Sequence, residues 1–215
     1  MRWWYVPVGV LALGLLVGGG VVFVERAKRG RRLTTTKPGA NGAIATSPEA
    51  LRAEAARVLG RSVSQEAYSL ARMLASEGSS DNAVGRRVRA WVLHNDWRSL
   101  QGRHSESRWP TLTSVLTYST QQGENGLYGE QAGRRFSTAR DPYEGDLSDA
   151  EALLTEFFRG SDPTAGATKF IDLEALGKQA GTQGKTLASI EKDWGLKGRL
   201  VADAGRQLYI FGGAA

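Results

Sequence analysis

The sequence predicts an α+β fold, mainly α, with a small β element and one N-terminal transmembrane helix ahead of it. Three observations predict it. Several stretches between residues 48 and 194 repeat apolar side chains at helical spacing between recognisable caps. Two short apolar runs flank Asp203-Ala-Gly205 near the end of the chain, a hairpin signal. The 22 residues from Trp3 to Val24 hold no charge at all.

As a helix that run spans about 33 Å, enough for a hydrocarbon core of about 30 Å. Trp3, Trp4 and Tyr5 form an interfacial belt at one end, and Arg26 to Arg32 close the other. A cleaved signal peptide is the competing reading, but it requires a basic leader, whereas here the positive charge follows the apolar run. Leu33 to Ser47 has no periodicity and contains Pro38-Gly39 and Asn41-Gly42, the composition of a tether. The expected organisation is an anchor with its basic run over 1–32, a flexible linker over 33–47 and a domain over 48–215.

Within the domain, Ser47-Pro48-Glu49 caps a first helix whose apolar face is Leu51, Ala55, Val58 and Leu59, ending at Gly60. Ser64 caps a second, with Tyr68, Ala71, Leu74 and Ala75 on one face, ending at Glu77-Gly78. Ala83 to Trp97 follows as the expected core helix, with Val84, Val88, Trp91, Val92 and Asn95 on one face and Arg86, Arg87 and Arg89 pointing elsewhere. A brief helical segment lies around Leu112 to Tyr118. Gln121 to Gln131 puts three glycines among amides and acids, which suits either a groove floor for hydroxyl-rich ligands, with Asn125 and Tyr128 as contacts, or an ordinary surface loop. Ser148-Asp-Ala-Glu151 reads as a capping box opening a helix that buries Ala152, Leu153, Leu154, Phe157 and Phe158 and stops at Gly160. Asp162 to Ala167 is a tight turn leading into Lys169 to Asp172, and a last short helix runs from Leu187 to Trp194 before Gly195.

Composition excludes several chemistries. Cysteine is absent, so disulfides, thiolate metal sites and a cysteine nucleophile are out. The net charge of +6 is confined to the start of the chain: seven of the 28 basic and one of the 22 acidic side chains precede residue 38, leaving 21 of each. That basic run suits lipid head groups, and no nucleic-acid partner is expected. His94 and His104 lack an acidic cluster at metal-ligand spacing, so no metal is expected, and no phosphate loop or Gly-x-Ser-x-Gly elbow implies a cofactor or an acyl-transfer site. What remains is carboxylate chemistry in a groove, as glycosidic cleavage requires. Glu77 draws attention because the carbonyl end of a helix disfavours a charged carboxylate and so suits a general acid. Taken alone, the stretch also fits a solvated glutamate before a glycine stop.

Leu70 to Gly78, followed by Val88-Arg-Ala-Trp-Val-Leu-His-Asn95, resembles the opening of the SleB-like cell wall hydrolases and related lysozyme-like lytic transglycosylases, some of them phage-encoded. Gly133 to Pro142 and Asp162-Pro-Thr-Ala-Gly-Ala-Thr-Lys-Phe170 resemble later motifs of such proteins, over about residues 64 to 172. The resemblance implies a lysozyme-like domain with Glu77 as catalytic acid, and Tyr118, Ser119, Ser137 and Thr138 lining the groove. Ala165 departs from a usual glycine, and the glutamine that commonly precedes the Tyr118-Ser119 pair is missing.

The implied reaction is cleavage of the β-1,4 bond between N-acetylmuramic acid and N-acetylglucosamine in peptidoglycan. Glu77 alone suffices if the C6 hydroxyl closes an anhydro ring, whereas inverting hydrolysis needs a second carboxylate, for which Glu124 and Asp81 are the candidates. The expected partners are glycan strands, a lipid bilayer through residues 3–24, and virion or membrane-complex proteins. The positive-inside rule places the domain in the cytoplasm, away from peptidoglycan. A phage virion membrane, or an inner-membrane anchor with that bias overridden, resolves the conflict. A second class of function is a catalytically inactive, membrane-anchored assembly protein that keeps the fold.

Overall fold

The computed structural model describes residues 30–34, 47–76, 82–103, 110–117, 141–174 and 184–213. Their elements are α1 (Pro48–Leu59), α2 (Gln65–Ser76), α3 (Ala83–Arg103), α4 (Leu112–Thr117), α5 (Glu144–Arg159), β1 (Lys169–Asp172), α6 (Leu187–Trp194), β2 (Gly198–Leu200) and β3 (Leu208–Phe211). The described fold is therefore mainly helical with a small sheet.

Local chemistry accounts for most helix ends. The Ala50 N–H donates to Ser47 Oγ at 3.2 Å, Pro48 takes the first turn, and Gly60 closes α1 at φ 67°. Ala67 N–H donates to Ser64 Oγ at 3.1 Å to start α2. Thr186 caps α6, and Gly195 ends it at φ 63°. The start of α5 differs from expectation. It begins at Glu144, one turn before the Ser148–Glu151 pattern, because the Asp146 carboxylate accepts the Tyr143 N–H at 2.9 Å and so satisfies the helix end earlier.

α2 is the centre of the molecule. Every residue from Ala67 to Ala75 is buried, since α1, α3, α4 and α5 all pack on it. Leu70 and Leu74 join Leu51, Leu112, Leu116, Leu147 and Leu153 in the main core, and Leu33 reaches the same core from the N-terminal side. Leu33 and Thr34 begin the expected linker, yet both are buried; Arg32 bridges Tyr143, and the Leu33 N–H donates to Pro142 O at 3.0 Å.

α3 was expected to turn its arginines away from the core. Instead Arg86 and Arg89 are buried while Val84 is exposed, because carboxylates on other elements meet the guanidinium groups. Arg86 lies 2.8 Å from Asp146 and 2.9 Å from Asp149 on α5, and Arg89 lies 3.4 Å from Asp172 on β1. Phe158, expected inside, is 92% exposed, and Glu156 beside it is buried.

The sheet order is β1-β3-β2, all antiparallel, pairing Lys169 with Phe211 and Leu200 with Tyr209. The expected hairpin is present as β2 and β3. Along β3 the side chains alternate: Leu208 and Ile210 pack on Val88 and Val92 of α3, while Tyr209 and Phe211 pack against Ile190 and Trp194 of α6.

No helix among the described residues is long and apolar enough to cross a membrane. α3 has 21 residues but carries Arg86, Arg87, Arg89, Asp96 and Arg98, and α2, the most enclosed, has only 12. The expected single-pass anchor, and with it the virion-membrane or inner-membrane location, is corrected accordingly. Its run, 3–24, lies outside the described residues, and nothing in the fold supports a spanning helix.

Candidate functional site

The expected site residues Glu77, Tyr118, Ser119, Asn125, Tyr128, Ser137 and Thr138 lie outside the described residues, as do Asp81 and Glu124. What the structure defines is the frame next to them in the chain: α2 up to Ser76, α3 from its cap Asn82, α4 up to Thr117, and the chain from Asp141 onward.

A polar network runs through the buried face of α2. Arg72, one turn before Ser76, is fully buried with its guanidinium 3.7 Å from Asp141. Thr34 Oγ1 donates to Asp141 Oδ1 at 3.1 Å, so the Tyr68 hydroxyl, 2.8 Å away, donates to Thr34. Burial pushes the Tyr68 phenol above its ordinary range against the opposing pull of Thr34 and Arg72, which keeps it a proton donor. The apolar spacing puts Tyr68 on the buried face and assigns Arg72 no role. The available signal was their i, i+4 spacing, which puts a hydroxyl and a guanidinium on one side of the helix.

At the start of α3, Asn82 Oδ1 accepts the Gly85 N–H at 3.0 Å, and Asn82 Nδ2 donates to Asp203 O at 2.5 Å. The hairpin turn is thereby fastened to the helix that opens six residues after Glu77 in sequence.

Further along α3, Asn95 Nδ2 donates to Asp162 Oδ2 at 2.8 Å, Thr164 Oγ1 at 2.9 Å and Ala167 O at 3.2 Å. Asp162 in turn accepts from the Thr164 N–H at 2.7 Å, the Thr164 hydroxyl at 2.6 Å and the Gly166 N–H at 2.6 Å. Burial raises the Asp162 pKa, but these donors together with Asn95 outweigh it and hold the carboxyl below its ordinary range. The turn is thus organised around a charged Asp162. Ala165 occupies φ 52°, a left-handed conformation in which a glycine would be unstrained. That is the position where the sequence departs from the glycine usual in the motif it resembles.

Among the described residues no three His, Cys, Asp or Glu side chains gather as a metal could require. By fold the protein is a small, mainly α domain of the α+β class, with an arginine–carboxylate network on its central helix. Compared with models of known families, with curated proteins and with solved structures, the chain matches none.

Proposed function

We propose that the domain cleaves the β-1,4 bond between N-acetylmuramic acid and N-acetylglucosamine in peptidoglycan, with Glu77 as the general acid. Glu77 gives its proton to the bridging oxygen as the bond breaks. As carboxylate it then takes the C6 hydroxyl proton while that oxygen closes a 1,6-anhydro ring. The substrate supplies its own nucleophile, so one carboxylate is sufficient.

The observation that carries the reading is the Asn95 junction. Asn95 ends the second of the segments that resemble the SleB-like hydrolases, Asp162 to Ala167 opens the last, and three hydrogen bonds from one amide join them. Segments 67 residues apart in sequence are therefore parts of one structure.

Zymography on purified peptidoglycan tests the proposal. Wild type releases anhydro-muropeptides, identified by mass, and Glu77→Gln loses about 10²- to 10⁴-fold in rate. Clearing of sacculi by Glu77→Gln at the wild-type rate overturns the assignment. Reducing-end products from wild type would indicate hydrolysis, and no release by folded wild type would favour the non-catalytic assembly protein.

A further inference from the structure

Where α3 packs against the end of α5, four rings form one cluster. His94 stacks on Phe157 with centroids 4.4 Å apart and planes at 18°. Trp91 and Trp97 meet the imidazole edge to face at 5.4 Å and 5.6 Å, and Trp91 also meets Phe157 at 4.9 Å. Inside this cluster His94 Nδ1 is enclosed with no hydrogen-bond partner. The neighbouring residue, Asn95, holds the Asp162–Ala167 turn.

We infer that His94 is a pH-sensitive pin of the α3–α5 junction: the neutral ring fits the cluster, and protonation in mildly acidic solution loosens both the junction and the adjoining turn. The inference is independent of the proposed reaction. Protonation puts a hydrogen on both ring nitrogens, and Nδ1, enclosed without a hydrogen-bond partner, gains a proton that the surrounding apolar rings do not accept; the side chain of Asn95, which favours the charged ring, offsets this only in part. The face of Phe157 attracts a cation, which works the other way.

Burial and the surrounding charges decide the balance. On α3 itself, Arg98 opposes a second positive charge; from the turn, Asp162 favours it. α5 brings Glu156, already engaged by Arg87 at 2.7 Å and by Trp91 Nε1 at 2.8 Å, and α4 carries no charged residue. Burial first, then Arg98, hold the imidazole below its ordinary range against the smaller pull of Asp162 and Asn95. The unfolded chain takes up the proton near pH 6.5 and the folded one only at lower pH. The stabilisation is therefore complete above about pH 6.5 and is lost as pH falls from there through the folded value.

The test is an NMR titration of the full chain from pH 7.5 to 5, with the two histidines told apart by His104→Gln. The expected result is a His94 midpoint below 6.5, with the Asn95 side-chain amide and the Gly166 amide shifting at the same midpoint. In His94→Gln those two amides stay still, and His94→Phe loses less melting temperature than wild type over the same pH range. A His94 midpoint at or above 6.5 overturns the inference, as does a turn whose amides ignore it. Should either variant fail to fold, the wild-type titration decides alone.

Discussion

The helical and sheet sides of the molecule are held in different ways. On the helical side, α1, α2, α4, α5 and Leu33 share one large core, and buried ion pairs tie its elements together: Arg72 with Asp141, and Arg86 with Asp146 and Asp149. On the sheet side, two thinner clusters cover the two faces of β3, and one buried carboxylate, Asp172, serves both Arg89 at 3.4 Å and Arg206 at 2.9 Å. The difference teaches where each side is vulnerable. Helices slide on apolar surfaces, so directional charge pairs fix their positions. The sheet, whose strands have three or four residues, depends on close approach, as at Gly198 against the Phe211 ring.

The contrast is most exposed at Arg86. Arg86→Ala leaves the buried Asp146 without its guanidinium partner and opens the Leu74 carbonyl contact at 3.3 Å. The expected loss is about 3–5 kcal/mol, read from the denaturant midpoint. A loss under about 1 kcal/mol, the value of a surface pair, would show that the charges do not secure the helical side.

Gly198→Ala probes the sheet side. A Cβ there would sit 2.8 Å from Phe211 Cε1 and 2.9 Å from Leu187 Cδ1, so both side chains must shift. The expected cost is about 1–3 kcal/mol, with faster hydrogen exchange at β2 and β3 and unchanged exchange in α2. Equal effects on both sides would mean the two cores respond as one unit. The smallest effect belongs to the exposed pair of Arg61 with Glu151, at 2.7 Å and 2.9 Å. Arg61→Ala should cost about 1 kcal/mol or less and less still in high salt; a larger loss would extend the helical side's dependence on charge to its surface.

How much of this was legible depended on the range of the interaction concerned. Ser47, Ser64, Gly60 and Gly195 act within a turn of themselves, and each does what its residue type suggests. The Ser148 capping box was misread because Asp146 satisfies the helix end one turn earlier. β1 carried no pattern of its own, since its strand character comes from pairing with β3 some 40 residues away. For the candidate site, Asn95 and Asp162 meet across 67 residues of chain, a contact that neither segment's own pattern announces. The Tyr68, Arg72, Thr34 and Asp141 network was missed, because nothing local announces that an arginine on an otherwise apolar helix will find a carboxylate 69 residues later.

By itself the sequence determined most helix positions and caps, though neither the start of α5 nor the end of α3, together with the hairpin around Asp203-Ala-Gly205, the absence of thiol chemistry and the neutrality of residues 38–215. These follow from composition and from contacts a few residues long. Only the tertiary structure decided that α2 is enclosed on every side, that Arg86 and Arg89 face inward, and that Leu33 and Thr34 belong to the core. A charged side chain is as stable in water as it is beside a buried partner, so its place in the fold is set by which element carries that partner, and spacing along the chain does not record that.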